Sequence, residues 1–456
     1  VCGIAAFYGP NASLITYKLL IELQHRGQES AGISVFSGAR IRTIVRPGYV
    51  VPAISLREVY ELNSNLAVGH VRYSTTGGYM SQSGAQPVVV GDGRKQISLA
   101  FNGNIINYHE LSKEFLGTDS SSDSEVLAKL VFEFTKEVGD VVEAVKNVST
   151  LVKGSYSLVV MTSEPKLVIA RDPHGFKPLA YSAYDDFIAV ASETAPLESL
   201  GMDMWEEVVP GSIISYDGKS LEKTHIPVRV ETFTPCVFEY VYFSRPDSIF
   251  NGVQIHEARV RMGAYLGSLD SEEVDVVIPV PDSGRSAALG YSMSRKVVID
   301  EGLMRNRYVG RSFIMPPSMR ELFADIKYGV VKSVIRSKKV AVIDDSLIRG
   351  TTMGRIVRLL RSRGAERVHV RIASPPVRYP CFMGIDFPTK RELIASRLCD
   401  VKLIAEVIGA DSLLYNTVEG LRWSIGIPSL CLACYTGIYP FADIDIPYLE
   451  KTFSRG

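Results

Sequence analysis

The chain lacks net charge, because its 50 Lys and Arg balance its 50 Asp and Glu. Bulk binding to a nucleic-acid backbone or an anionic membrane needs an excess of positive charge, so the balance argues against both and leaves room for a local basic site. Long apolar runs are missing too, and none is long enough to span a bilayer. The first residues carry neither the basic stretch nor the apolar core of a secretory signal, so a cytoplasmic location is expected. There are no internal repeats and no low-complexity tract. Cysteine is scarce: Cys2, Cys236, Cys381, Cys399, Cys431 and Cys434 are all there is in 456 residues. Six in a chain of this size do not make a disulfide scaffold, so catalysis or metal binding is the better use for them. With 46% apolar and 22% charged residues the chain reads as an ordinary globular protein, long enough for two or three domains.

The first ~230 residues are rich in short alternating runs and Gly/Ser/Asn turns, a β-rich pattern. Leu66–Arg72 and Ser157–Met161 are examples. A helix is expected over about Ser124 to Glu137, behind the capping and acidic residues of Ser122-Asp123-Ser124-Glu125. The second half differs. Runs at 274–280, 339–343 and 368–373 read as buried strands. Between the last two, Met353, Ile356, Val357 and Leu360 fall at i, i+3, i+4, i+7, the stripe of a helix. Strand, helix, strand at this spacing predicts a parallel βαβ unit. We therefore expect two domains, 2–230 and 231–456, with the boundary near 228 to 236.

The most specific stretch is Val340-Ala341-Val342-Ile343-Asp344-Asp345-Ser346-Leu347-Ile348-Arg349-Gly350-Thr351-Thr352. An apolar strand ends in two carboxylates, and a loop then leads into a helix. Amides and hydroxyls at a helix N-terminus suit a phosphate. The adjacent acids suit ribose hydroxyls or a Mg²⁺ that also bridges phosphates. Open parallel sheets bind ligands beyond the carboxyl ends of their strands, where this loop would lie. A lone Asp-Asp pair would be read as two solvated residues, but the whole string is not.

The string resembles the phosphoribosyltransferase signature, which binds phosphoribosyl pyrophosphate (PRPP). Pro279-Val280-Pro281-Asp282-Ser283-Gly284-Arg285 resembles that family's pyrophosphate loop, and Arg305–Ser312, with Arg311, its mobile loop. The resemblance implies that PRPP is bound by Asp282, Ser283, Gly284, Arg311, Asp344, Asp345, Ser346, Arg349, Gly350, Thr351 and Thr352. It also implies Mg²⁺ near Ser283, Asp344 and Asp345, held largely by PRPP itself.

At the other end, Cys2 stands one residue from the start. If Val1 is removed, Cys2 carries a free α-amine, whose reference pKa near ~8 lets it take the thiol proton at neutral pH. A start codon written as Val, initiated as Met and then removed, would account for Val1. By itself Cys2 could be chance. However, His25–Gly32, Gly69–Thr75, Phe101–Ile105 and Ser122–Glu125 resemble, in order, segments of the class II glutamine amidotransferases. The resemblance implies Cys2 as nucleophile, with Asn102 and the Gly103 N–H as oxyanion hole. It also implies Arg72 and Asp123 on the carboxylate and ammonium of glutamine, and Thr75 and Arg26 near them. Arg26 and Gly27 would support the nucleophile region. A guanidinium for a carboxylate and preorganised donors for a tetrahedral oxyanion are what such a reaction needs.

Over nearly its whole length the chain resembles the glutamine phosphoribosylpyrophosphate amidotransferase family. That implies an α+β N-terminal-nucleophile hydrolase, an αββα sandwich, followed by an α/β phosphoribosyltransferase domain with a parallel sheet. It implies ammonia passing from glutamine to PRPP, purine nucleotides as feedback inhibitors, and a homo-oligomer. Loop closure over about 305 to 330 would trigger the glutaminase, with Tyr73 as candidate sensor. The four remaining cysteines could be scattered buried thiols, a redox pair or half a zinc site. Tyr379–Phe382 and Cys431–Gly437 resemble the iron–sulfur branch, which implies Cys236, Cys381, Cys431 and Cys434 as ligands of a [4Fe–4S] cluster. Cys399 is expected to be an ordinary buried thiol. A glutaminase with another acceptor is disfavoured by the Asp344–Thr352 loop. A PRPP-sensing regulator that binds nucleic acid is disfavoured by Cys2, Arg72 and Asn102, and an iron–sulfur redox protein by both substrate sites.

Overall fold

The computed structural model describes residues 1–38, 40–73, 84–93, 95–120, 122–228, 230, 233–306, 328–387, 389–441 and 444–453. Alternation along the Gly3–Tyr8 strand sets the first half. Ala5 and Phe7 face Leu19 and Leu20 of the Ala12–Glu22 helix, while Ile4 and Ala6 face Ala100, Val159 and Ile169 of another sheet. A strand buried on both faces belongs to an inner layer. Its antiparallel sheet runs Trp205–Glu207, Ala180–Tyr184, Phe187–Ala191, Gly3–Tyr8, Leu66–Arg72, Ser30–Ser37, Arg40–Pro47. The second runs Leu221–His225, Ser212–Tyr216, Leu167–Arg171, Gly154–Thr162, Gln96–Ile105, Val88–Gly91. On its far face Leu99, Phe101 and Leu158 meet the helices Asp123–Val138 and Val141–Leu151. Four layers result: helix, sheet, sheet, helix.

In the second half Val276–Pro279, Lys339–Asp344, Arg367–Ile372 and Ser412–Tyr415 form a parallel sheet in that order. Val340 and Val342 pack on the Thr351–Ser362 helix, while Ala341 and Ile343 pack on Ile255–Leu269 and Arg285–Arg295. The expected βαβ unit is there, in parallel register from Lys339↔Arg367 to Asp344↔Ile372. Two candidate loops, after Pro279 and after Asp344, leave the carboxyl ends of adjacent strands.

The halves are not packed apart. The Cys236 N–H donates to the Phe176 carbonyl at 3.0 Å, and the Ile446–Phe453 helix lays Leu449 and Phe453 into the core of the first half. We keep 2–230 and 231–456 as the proposed division, with residues 431–453 returning to the first part. Among the described residues, no helix is long and apolar enough to cross a membrane.

Candidate active site

Cys2 lies half-buried just before the Gly3–Tyr8 strand, at the edge where Asn102 ends up on the facing sheet. Its nitrogen donates to Asn102 Oδ1 at 3.0 Å, and its Sγ lies 3.7 Å from the Tyr73 carbonyl. That leaves Asn102 Nδ2, fully buried, without a hydrogen-bond partner among the described residues. A buried amide donor beside a thiol is what a developing oxyanion would occupy. Gly103 admits no side chain, since a Cβ there would stand 1.9 Å from the Ser155 carbonyl oxygen.

Arg72, at the end of the Leu66–Arg72 strand, and Ser122, the cap just before Asp123 and the Asp123–Val138 helix, converge on Gly84. A Cβ at Gly84 would lie 3.3 Å from Arg72 Nη2 and 3.5 Å from Ser122 Oγ. Burial pushes Asp123 up to about 6, against the N–H groups of Ile105 and Ser124, which donate to it at 3.2 and 2.9 Å, and against the Arg72 charge. Arg26 differs from the expectation that it binds glutamine. It is fully buried. Its Nε donates to the Cys2 carbonyl at 3.0 Å, and its other nitrogens are spent on Glu193 and, bidentately, on Glu239. It supports Cys2 from behind. Thr75 and Arg311, with most of the loop after Arg305, lie outside the described residues.

The phosphate-type loop and the pyrophosphate-type loop face one cavity of about 530 Å³. Asp282, Ser283, Asp344, Asp345, Ser346 and the 349–352 turn line it. The Thr351–Ser362 helix starts at Gly350, whose φ of 82° is left-handed, and its first turn opens on the cavity. Ser346 Oγ donates to Asp345 at 2.6 Å, and the Asp345 N–H to Asp344 at 3.0 Å. Gly284 lets the loops touch, because a Cβ would lie 2.4 Å from the Ile343 carbonyl oxygen. Asp282 pairs with Arg305 at 3.0 Å, and Arg349 with Glu392. His25 and Tyr73 line the same cavity, so it reaches the residue whose carbonyl touches Cys2.

Cys236, Cys381, Cys431 and Cys434 converge where the halves meet. All are free thiols, three of them buried and Cys381 half-buried. Burial raises each, Cys381 to about 11, and the thiols of Cys381, Cys431 and Cys434 also feel others of the set. Among the described residues, no group of three or more His, Cys, Asp or Glu that could hold a metal ion is found. Four thiols are the donor set that a [4Fe–4S] cubane takes, one to each iron. Cys399 corrects its expectation: it is exposed, at the left-handed end (φ 55°) of the short Ile394–Leu398 helix.

A family model described as a glutamine amidotransferase domain matches residues 70–199. An amidophosphoribosyltransferase of Pyrococcus horikoshii is 46% identical over 444 residues, covering 96% of either chain. That of Bacillus subtilis is 38% identical over 469 residues, 99% of this chain and 97% of the relative. Among solved structures, the glutamine PRPP amidotransferase of B. subtilis complexed with ADP and GMP superposes with a TM-score of 0.87 at 38% identity, covering 98% of this chain and 100% of the other. The chain belongs to the amidophosphoribosyltransferase family.

For a member of that family, sequence reasoning missed the groups that hold Arg26. Glu193 also accepts from His25 (2.7 Å), from the Arg245 N–H (2.8 Å) and from Ser248 (2.7 Å). Burial would raise Glu193, but His25 and Arg26 hold it well below the carboxylate range. Glu239 sits in the π-helical turn Glu239–Phe243. Nothing in the local pattern flags either acid, because each pairs across more than 160 residues.

Proposed function

We infer that this chain is a glutamine-dependent amidophosphoribosyltransferase that makes 5-phosphoribosylamine, the first step of purine synthesis. One observation carries the reading: the cavity floored by the Asp344–Thr352 loop extends to Tyr73, whose carbonyl lies 3.7 Å from Cys2 Sγ. The amidophosphoribosyltransferase relatives support it. Cys2 attacks the glutamine side-chain carbonyl once the Val1–Cys2 bond has been cleaved and its own nitrogen is an amine able to take the thiol proton. Asn102 Nδ2 and the Gly103 N–H receive the oxyanion. The amide nitrogen leaves as ammonia, and water hydrolyses the thioester to glutamate. Arg72 and Asp123 hold the substrate's carboxylate and ammonium.

Ammonia in water is mostly the non-nucleophilic ammonium ion, so transfer inside one cavity keeps it reactive. It adds to C1 of PRPP as pyrophosphate departs. The turn 349–352 and the 282–284 loop cradle the phosphates. Asp344, Asp345 and Ser283 would hold Mg²⁺ together with PRPP, since a hard cation takes oxygen ligands. When bound, Mg²⁺ neutralises charge building on the leaving pyrophosphate. Cys236, Cys381, Cys431 and Cys434 hold a [4Fe–4S] cluster whose role is to tie the halves. A purine nucleotide shares ribose-phosphate with PRPP and competes for this cradle, in keeping with the ADP and GMP of the solved B. subtilis relative. We also propose a homo-oligomer, the commonest form among oligomeric proteins.

The test is glutamate release from glutamine, measured anaerobically with Mg²⁺, with and without PRPP. Strong stimulation by PRPP with matching pyrophosphate release is expected. Glutaminase indifferent to PRPP would overturn the coupling.

A further inference from the structure

Lys177 is a buried charge that the reaction does not use. Its side chain is fully buried, yet its ammonium makes no hydrogen bond among the described residues. The nearby carboxylate, Glu239 Oε1, is 4.0 Å away, and both oxygens of that group already accept from Arg26, with Ser244 donating as well. A cation placed so is costly to hold unless a further anion faces it. The backbone at Lys177 adjoins the thiol site. The Phe176 carbonyl, in peptide linkage with the Lys177 nitrogen, accepts from the Cys236 N–H at 3.0 Å. The Lys177 charge acts on the thiols of Cys236, Cys381 and Cys431, against the burial that raises all three. Four thiolates around an iron–sulfur core make an anionic group, whose net charge and surroundings set its potential.

We propose that Lys177 is the internal counter-ion of the four-thiolate group at Cys236, Cys381, Cys431 and Cys434, a positioning residue for the cofactor and not for glutamine or PRPP. The proposal rests on the cluster reading above. An apolar residue at 177 would have left the thiol site without this cation, and Glu239, shared with Arg26, leaves the Lys177 ammonium without a hydrogen bond among the described residues.

The test uses the full-length protein purified anaerobically, with iron and sulfide content measured first. Wild-type protein free of both overturns the cluster reading and this inference with it. With iron present, Lys177→Met and Lys177→Arg are compared for the rate of iron loss to a chelator and for the midpoint potential. Lys177→Met should lose iron at least about tenfold faster, the scale of one charged contact, with the potential moved to more negative values. Lys177→Arg should restore both toward wild type. A Met variant that takes up no iron, beside an Arg variant that does, supports the proposal equally. A Met variant indistinguishable from wild type overturns it. So does a positive shift in potential, or Met and Arg variants that fail alike, since packing and not charge would then be the role.

Discussion

At the scale of single residues, the glutamine end is governed by what burial does to polar groups. Asn102 is divided: its oxygen is satisfied by the Cys2 nitrogen and its Nδ2 is left over, so the donor is paired only when an acceptor arrives. Asp123 tells the same story through its proton. Its value lies at about 6, above the ordinary 3.8, with burial the largest cause. The fold therefore favours the protonated carboxyl. That contribution to stability is full below about 3.8 and is lost as pH rises through about 6. At neutral pH the carboxylate is ionised at a cost that an incoming ammonium offsets. Two outcomes follow. The KM for glutamine should rise as pH falls through about 6. Asp123→Asn should flatten that limb and raise KM at neutral pH by about tenfold or more, with no loss of stability to denaturant. Steady-state kinetics across pH checks this, and an Asn variant with wild-type KM would remove Asp123 from the ammonium site.

At the scale of elements, much was legible. Leu66–Arg72 is a strand over the residues its alternation marks, and the Met353–Leu360 stripe lies on the Thr351–Ser362 helix. Both signals are local, a period of two and a period near 3.6, and local signals survive in the bare sequence. The loop after Asp344 was legible because strand, acids, glycine and hydroxyls occur together within a dozen residues. What was not legible is contact between distant segments. The support of Arg26 by Glu193 and Glu239 carries no periodicity, and neither does the exposure of Cys399 at a helix end. The close approach of Gly284 to Ile343 is of the same kind, and it makes a prediction about how two elements fit. Gly284→Ala, with a Cβ 2.4 Å from a backbone oxygen, must push the 281–285 turn off the Ile343–Asp344 strand end. We expect ammonia-dependent synthesis to show a KM for PRPP raised by about tenfold or more, the penalty of displacing a phosphate cradle by an ångström. Glutamine hydrolysis without PRPP should be unaltered. An unchanged KM for PRPP would separate Gly284 from the cradle.

At the scale of the molecule, the halves share cores. Asn104 Nδ2 donates to the Phe382 carbonyl at 2.8 Å, Ser155 Oγ donates to the Met383 carbonyl at 3.0 Å, and a Cβ at Gly384 would stand 3.0 Å from the Gly103 oxygen. The Cys381 loop is thus clamped to the strand that carries Asn102 and Gly103. Phe453 is buried in the same core as Phe101 and Leu127. Phe453→Ala should destabilise the protein by about 3–5 kcal/mol, read from denaturant midpoints. A change within 0.5 kcal/mol, the range of an ordinary surface substitution, would mean that the helix is an appendage.

The placement of the Ile446–Phe453 helix also has a consequence for birth. The strands it covers are synthesised early, but their last partner comes off the ribosome more than 200 residues later. At cellular rates of about 5–20 residues per second, that is a wait on the order of ten to forty seconds. During that interval the nascent glutaminase stands with an apolar face uncovered, and emergence of the Ile446–Phe453 helix becomes the event that seals it.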